Sequence, residues 1–141
     1  MVTLSSQKIS WSEIELLIKT LSKKILAVDR SFSSISTISR GGLVPARLLA
    51  DHLGIDTIFV DKPRIPLDSL FVDDIFDSGD TFKKIILKID DPSKLVFATL
   101  FARRGKKYPR QLIFAKKTIG NEYIIYPWDK LEYKRLKKFG I

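Results

Sequence analysis

Apolar and polar residues alternate with two periods along this chain, and the period changes at short polar or glycine-containing breaks. Trp11, Ile14, Leu17, Ile18, Leu21 and Ile25 recur at the spacing of one helical face. Ser10-Trp11-Ser12-Glu13 precedes them as a capping box, in which the Ser10 hydroxyl accepts from the Glu13 amide while the carboxylate reaches back. Together these predict a helix over 11–27. Residues 33–39 alternate around Ile35 and Ile38 and are rich in Ser and Thr, the pattern of a strand. A helix over 43–53 follows, with Gly54 as its C-terminal cap. A second strand is predicted over 55–61, and Pro63 and Pro66 make 62–68 a loop. The short apolar run 70–74 ends in two carboxylates and reads as a buried parallel strand. Phe82, Ile85, Ile86 and Ile89 mark one face of a helix over 81–89, and further strands are predicted over 95–101, 112–115 and 123–126.

Strands alternating with helices predict an α/β fold, one domain over residues 1–141 with a mainly parallel central sheet and helices on both faces. In such sheets ligands sit outside the C-terminal ends of the strands, where loops lead into helices. Two loops stand there: Ser39-Arg40-Gly41-Gly42, and residues 73–81.

The length of 141 residues suits one domain with a core of its own. The absence of cysteine excludes a disulfide scaffold, a thiolate zinc site, an iron–sulfur cluster and a cysteine nucleophile, and a single histidine excludes a histidine-rich metal site. No apolar run approaches the ~20 residues that span a bilayer, and the start MVTLSSQKIS lacks the pattern of a secretory signal. A soluble, cytoplasmic protein without a membrane partner is expected. One Met, one Asn and two Gln beside many Lys and Ile point to a high-temperature source. The net charge of +9 is uneven: residues 1–91 carry 12 basic and 13 acidic side chains, residues 92–141 carry 13 and 3. A basic segment of that size fits a nucleic acid, a small substrate bearing several phosphates, or a solvated face.

LFVDDIFDSGDTF carries the strongest chemical signal. Asp73, Asp74, Asp77 and Asp80 fall within eight residues at a strand-to-helix turn, and such crowding is costly unless the carboxylates meet hydroxyls, metal or amides. Asp77-Ser78-Gly79-Asp80-Thr81 combines a glycine, two hydroxyls and a helix start, the chemistry of a phosphate cradle. One stretch thus offers hydroxyl acceptors and a phosphate nest, and a sugar phosphate needs both. No GxxxxGK[ST], no GxGxxG after a strand and no GxSxG elbow is present.

VDDIFDSGDT (72–81) resembles the phosphoribosyl-diphosphate signature of the type I phosphoribosyltransferases. SRGGLVPARLLADHLGI (39–55) resembles the diphosphate loop and following helix of their xanthine-guanine and hypoxanthine branch, and FATLFARR (97–104) and NEYIIYPWD (121–129) resemble its purine-contacting segments. The resemblance implies the type I phosphoribosyltransferase fold with a small C-terminal base-binding hood. It implies transfer of the 5-phosphoribosyl group from phosphoribosyl diphosphate to a 6-oxopurine, hypoxanthine or guanine and less securely xanthine, giving a nucleoside monophosphate and diphosphate in purine salvage. Asp73 and Asp74 would accept from the ribose hydroxyls, with Asp74 near a Mg2+ that also binds the diphosphate. Residues Asp77, Ser78, Gly79, Asp80 and Thr81 would hold the 5′-phosphate, and Asp77 would serve as general base on the imidazole side of the purine. Arg40 and Gly41 would hold the diphosphate, in a loop where the family often has a non-proline cis peptide. Tyr123 would stack on the purine or is a strand aromatic in the core. Arg103 stands where the family has a lysine facing the 6-oxo group, and the backbone at Ile124 and Asp129 would read the 2-position.

Two features depart from the family pattern. The interval between Val60 and Asp73 is much shorter than the family's mobile hood, so a neighbouring subunit helps close the site, turnover is slow, or the protein binds without turnover. Asp80 stands where a neutral residue is common and is expected to point to solvent. The alternatives in function are a non-catalytic phosphoribosyl-diphosphate or nucleotide-binding regulator, or a transferase for adenine or a pyrimidine. A homodimer or larger homo-oligomer is expected and a nucleic-acid partner is not. His52 reads as a helix-end cation, Trp11 as packing on the domain or a dimer partner, and Trp128 as base pocket or packing. The tail KLEYKRLKKFGI reads as a solvated helix or strand end, with interface or nucleic-acid contact as the alternative.

Overall fold

The computed structural model describes residues 5–131 and 134. After a three-residue strand β1 (Ser6–Lys8), helix α1 (Trp11–Leu26) starts where the capping box places it. The Glu13 amide donates to the Ser10 hydroxyl oxygen at 3.1 Å. The Glu13 carboxylate meets the Ser10 hydroxyl at 3.3 Å. The predicted face is buried: Ile14, Leu17, Ile18, Leu21 and Ile25.

Then come β2 (Ser34–Thr37), α2 (Leu43–Leu53), β3 (Ile58–Val60), β4 (Ser69–Phe76), α3 (Asp80–Ile85), β5 (Val96–Ala102), β6 (Leu112–Lys117) and β7 (Tyr123–Ile125). Five strands form one parallel sheet in the order β3-β2-β4-β5-β6. The central strand β4 pairs on both sides, and β5 is buried along its whole length, as an apolar run in a doubly covered sheet requires. Helices α1 and α2 cover one face through Ile18, Leu21, Ala46 and Leu49 against Leu70, Val72 and Ala98. The other face is covered by α3 and its flanks, where Ile65, Ile85, Ile89 and Leu95 meet Phe71 and Phe97, whose rings stack at 4.9 Å. The predicted α/β architecture with a mainly parallel sheet and helices on both faces is the observed one.

The strand predicted over 33–39 contracts to Ser34–Thr37 because the chain leaves the sheet at Ile38, whose carbonyl accepts from the Gly42 amide. The one predicted over 55–61 contracts to Ile58–Val60. β4 outlasts its prediction because β5 continues to pair with it, as far as Phe76 beside Ala102. The helix predicted over 81–89 ends at Ile85 and tightens into a 3-10 turn, Ile86–Lys88, whose last carbonyl accepts from the Ile65 amide at 2.9 Å. That bond draws Ile89 into a bridge with Ile65 and takes the last turn out of the α-helical ladder. β1 carries no apolar period and escapes sequence reading. It is held by parallel pairing with β7, Ser6 beside Tyr123. Among the described residues no helix is long and apolar enough to cross a membrane, and most of the basic tail lies outside the described residues.

Candidate functional site

The two loops singled out by the sequence leave the C-terminal ends of adjacent strands, β2 and β4, where Thr37 stands beside Val72. The first loop is pressed onto the strands. The Thr37 hydroxyl donates to the Val72 carbonyl at 2.6 Å, and a Cβ on Gly42 would lie 2.0 Å from that hydroxyl oxygen and 2.7 Å from the carbonyl. Only glycine fits there. A Cβ on Gly41 would lie 3.0 Å from the Asp74 carboxylate, so the loop backbone and this carboxylate stand within contact of each other. The Ser39–Arg40 peptide is cis, and Arg40 is exposed. Asp61, in the left-handed region at φ +53°, anchors the loop: its carboxylate accepts from the Ser39 amide at 2.9 Å and the Ser39 hydroxyl at 2.5 Å. The hydroxyl first and the amide second hold the exposed Asp61 carboxyl below its ordinary range.

Asp73 is buried and Asp74 half-buried at the end of β4. Burial raises both carboxyls, and the Asp73 charge raises Asp74 further, well above the ordinary carboxylate range. Each also accepts an amide, Asp73 from Asp74 at 2.9 Å and Asp74 from Ile75 at 2.8 Å. Tyr126 supports this corner from β7's side: its hydroxyl donates to the Asp74 carbonyl at 3.1 Å. Burial and then the Asp74 and Asp73 charges push the Tyr126 phenol well above its ordinary value. Among the described residues no group of three or more His, Cys, Asp or Glu could hold a metal ion. Two adjacent carboxylates whose ionisation is opposed by burial and mutual repulsion fit a cation that takes one or two protein oxygens and completes its shell with substrate and water, the habit of Mg2+.

Residues 73–81 with Phe82 and Phe97 line a cleft of about 150 Å3. Gly79 turns at φ +89°, and a Cβ there would meet the Phe76 ring at 3.2 Å. The first amides of α3 lack intrahelical acceptors, and that of Asp80 donates to the Ser78 hydroxyl oxygen at 3.3 Å. Asp77, Ser78 and Asp80 are exposed, and Thr81 is half-buried.

Arg103, at the end of β5, is directed at protein groups. Its Nε donates to Asp77 Oδ1 at 3.0 Å with Nη2 3.4 Å from Oδ2, while Nη1 donates to the carbonyls of Gly120 at 3.1 Å and Glu122 at 2.8 Å. The Glu122 carboxylate closes that turn by accepting from the Ile119 and Gly120 amides at 2.9 and 2.7 Å. Burial raises the Glu122 carboxyl, but its own amide, those of Gly120 and Ile119, and the Arg103 charge outweigh it and leave it below its ordinary range. Tyr123 is half-buried, and the Ile124 side chain is in the core. The ladder with β1 uses Tyr123 and Ile125, through Tyr123 N–H to Ser5 O and Ile9 N–H to Ile125 O, so the backbone of Ile124 faces the opposite edge. The Asp129 amide closes a turn on the Tyr126 carbonyl at 3.0 Å. Trp128 stacks on Tyr126 at 4.8 Å and packs against the domain, whereas Trp11, 5.8 Å from Trp128, leaves most of its indole exposed. His52 is exposed in the last turn of α2.

The short 62–68 interval is tied down on the α3 side. Ile65 is buried and bonded to Lys88, Arg64 pairs with Asp90, and the Arg30 guanidinium donates to the carbonyls of Leu67 and Lys94. Sequence reading missed Asp61, Tyr126, Glu122 and the demand at Gly42. Of these only Gly42 carried a local signal, as the second glycine of a strand-to-helix turn.

A five-stranded parallel sheet with a diphosphate-type loop after β2 and a DD-x-x-D-S-G turn after β4 defines the type I phosphoribosyltransferase class of fold. Among solved structures, this chain superposes on the xanthine-guanine-hypoxanthine phosphoribosyltransferase of Helicobacter pylori with TM-score 0.76 at 21% identity, covering 94% of this chain and 99% of that one. A hypothetical protein from Neisseria gonorrhoeae with bound ppGpp superposes with TM-score 0.69 at 23% identity over the whole of both chains. In sequence, the xanthine-guanine phosphoribosyltransferase of Desulfotalea psychrophila is 29% identical over 140 residues, 86% of this chain and 84% of that relative. That of Gluconobacter oxydans is 26% identical over 144 residues, with 86% and 83% covered. No family model matches the chain. In sequence the chain is similar to xanthine-guanine phosphoribosyltransferases, and in fold to purine phosphoribosyltransferases.

Proposed function

We propose that this protein transfers the 5-phosphoribosyl group from phosphoribosyl diphosphate to N9 of a 6-oxopurine, with release of diphosphate, as a purine-salvage enzyme. The observation that carries the reading is the meeting of the 39–42 loop with Asp74, where a Cβ on Gly41 would sit 3.0 Å from the carboxylate. A diphosphate held by the Arg40–Gly41 backbone and guanidinium and a ribose held by Asp73 and Asp74 share one anomeric carbon, and loops that meet at Gly41 and Asp74 support that reading. The 5′-phosphate is held by the amides and hydroxyls of Ser78, Gly79, Asp80 and Thr81. Asp74, with Asp73 beside it, would hold a Mg2+ that would neutralise charge on the diphosphate.

The residues then act by position and charge rather than by a covalent intermediate. Asp77 accepts the imidazole proton as the purine attacks. Tyr123 stacks on the base, and the backbone of Ile124, facing away from β1, reads its 2-position together with Asp129. The basic residues after 91 draw in a substrate with several phosphates. Trp11 and Leu16, both exposed on α1, favour association with a second copy, which light scattering measures. A Mg2+-dependent assay of phosphoribosyl diphosphate with hypoxanthine, guanine, xanthine and adenine, at ambient and elevated temperature, tests the reaction. Turnover with a 6-oxopurine is the expected result, and binding without turnover of any base would replace it with a regulator.

That second reading has one observation in its favour: the pinned 62–68 interval, which leaves the diphosphate side without a long closing loop. The neighbour bearing ppGpp gives it a ligand to try. Calorimetry with a guanosine nucleotide carrying two diphosphates, beside phosphoribosyl diphosphate, separates the two.

A further inference from the structure

Arg103 is 8% exposed and makes four hydrogen bonds through its guanidinium, two to Asp77 and one each to the Gly120 and Glu122 carbonyls. Its backbone is fixed as well, the amide donating to Phe76 O at 2.7 Å and the carbonyl accepting from the Tyr108 hydroxyl at 2.7 Å. Asp77 is the first residue of the 77–81 loop after β4. Gly120 and Glu122 belong to the turn that leads into β7 and Tyr123. One side chain therefore joins the phosphate loop to the base side of the site.

The chemistry of the residue matters to this link. A guanidinium holds five N–H groups in a planar fork, whereas an ammonium offers three from one point and cannot span a carboxylate and two carbonyls together. A side chain needed only to donate to a purine oxygen has no use for that fork. We propose that Arg103 is a positioning residue: it orients Asp77 and couples occupancy of the 77–81 loop to the ordering of the 118–122 turn. The proposal rests on the phosphoribosyl-transfer reading of the pocket. A phosphate drawn onto the 77–81 amides moves or stiffens Asp77, and the paired N–H···O contacts carry that constraint through the guanidinium to the two carbonyls. The Glu122 carboxylate, bonded to the Ile119 and Gly120 amides, makes the turn respond as a unit.

Amide hydrogen exchange at Ile119 and Gly120 reads the coupling without activity. It is measured in wild type and Arg103→Lys, with and without Mg2+–phosphoribosyl diphosphate, beside calorimetry of that ligand and kinetics with hypoxanthine. The ligand slows exchange at both amides in wild type. Arg103→Lys speeds exchange about tenfold without ligand, as local opening of a released turn does. It binds the ligand within about threefold of wild type but loses the ligand-induced slowing, and kcat falls about tenfold with little change in KM for phosphoribosyl diphosphate. Asp77→Asn cuts the link from its other end and speeds exchange at the same amides, which guards against a misfolded lysine variant. Two results overturn the proposal: ligand binding to wild type that leaves exchange at 119 and 120 unchanged, or Arg103→Lys retaining both kcat and protection, as a plain 6-oxo contact would. Failure of wild type to bind the ligand overturns the phosphoribosyl reading and the coupling with it, while the ligand-free comparison still judges the link.

Discussion

Gly42→Ala is the sharpest test of how the diphosphate-type loop is held. The added methyl would lie 2.0 Å from Thr37 Oγ1 and 2.7 Å from the Val72 carbonyl, and the hydroxyl is itself bonded to that carbonyl at 2.6 Å. Thr37 is buried and belongs to β2, so the chain must give. Forcing the methyl in costs about 1–3 kcal/mol as overpacking, and breaking the buried hydroxyl–carbonyl bond costs about 1–3 kcal/mol more. A loss of roughly 2–6 kcal/mol in urea unfolding, with an unchanged m-value, is expected. The double variant with Thr37→Ala removes the nearer obstacle but leaves the Val72 carbonyl, so it recovers part of the loss, a coupling of about 1 kcal/mol or more. Gly41→Ala is the contrasting variant. Its methyl's nearest neighbours are the Asp74 carboxylate atoms at 3.0 Å, so stability changes by less than about 1 kcal/mol while calorimetric affinity for Mg2+–phosphoribosyl diphosphate falls about tenfold or more. A Gly42→Ala protein within about 0.5 kcal/mol of wild type, or a Gly41→Ala protein with unchanged affinity, would refute the loop's seating on β2 and its approach to Asp74.

Asp77→Asn should keep affinity for the phosphoribosyl ligand within a few fold and lower kcat by about 10²–10⁴, the usual reach of a general base; steady-state kinetics decide, and unchanged kcat removes Asp77 from proton transfer. Tyr126→Phe keeps the ring on Trp128 but leaves the Asp74 carbonyl short of a donor; thermal unfolding should show a loss of about 1–3 kcal/mol, and no change in Tm would mean that bond is idle. Asp61 has its carboxyl lowered by Ser39, so its contribution to loop order is present above the ordinary carboxyl value of 3.8 and fades as pH falls through its lower folded value. Protection of the Ser39 amide, taken relative to its intrinsic exchange rate at each pH, should therefore fall on acidification below that range in wild type and already be low in Asp61→Ala at neutral pH; identical protection in the two proteins would sink the anchor. With phosphoribosyl diphosphate alone, the pinned 62–68 interval predicts measurable hydrolysis in the absence of any purine, followed by diphosphate release, and undetectable hydrolysis would mean that water is excluded by other means.

The parts of this molecule that were legible in the sequence are those set by local pattern. The face of α1, the capping box and the alternation of buried strands with helices follow from periods that neighbours in sequence share. The 77–81 turn stood out for the same reason, since its glycine, hydroxyls and carboxylates are consecutive. What escaped depends on residues far apart in the chain. β1 is three polar residues that become a strand because β7, more than a hundred positions away, supplies the ladder. Asp61 reaches back 22 residues to Ser39, and Tyr126 reaches 52 to Asp74. Arg103 was singled out for its position, but its 26-residue reach to Asp77 and its two carbonyl partners are products of the closed fold.

These distant contacts place order unevenly around the site. On the diphosphate side the loop is pre-set: Gly42 is seated on β2 and β4, Ser39 is anchored by Asp61, and the 62–68 interval is bonded to the α3 flank. Nothing there needs a ligand to take shape. On the side of β7, the 118–122 turn is held by the Arg103 guanidinium and the Glu122 carboxylate, and at its start by buried Thr118, whose hydroxyl donates to the Gly120 carbonyl and whose carbonyl accepts from Arg104, between the edge strand β6 and a two-stranded ribbon. A rigid phosphate side lowers the ordering cost of binding a flexible, highly charged substrate. On the proposed reading, a base side joined to it through Arg103 would let the purine pocket assemble after that substrate is in place, which is the order that keeps a reactive sugar centre from forming before its acceptor is positioned. The short interval after β3 is consistent with that division, because an enzyme that closes from the base side has less need of a long loop over the diphosphate.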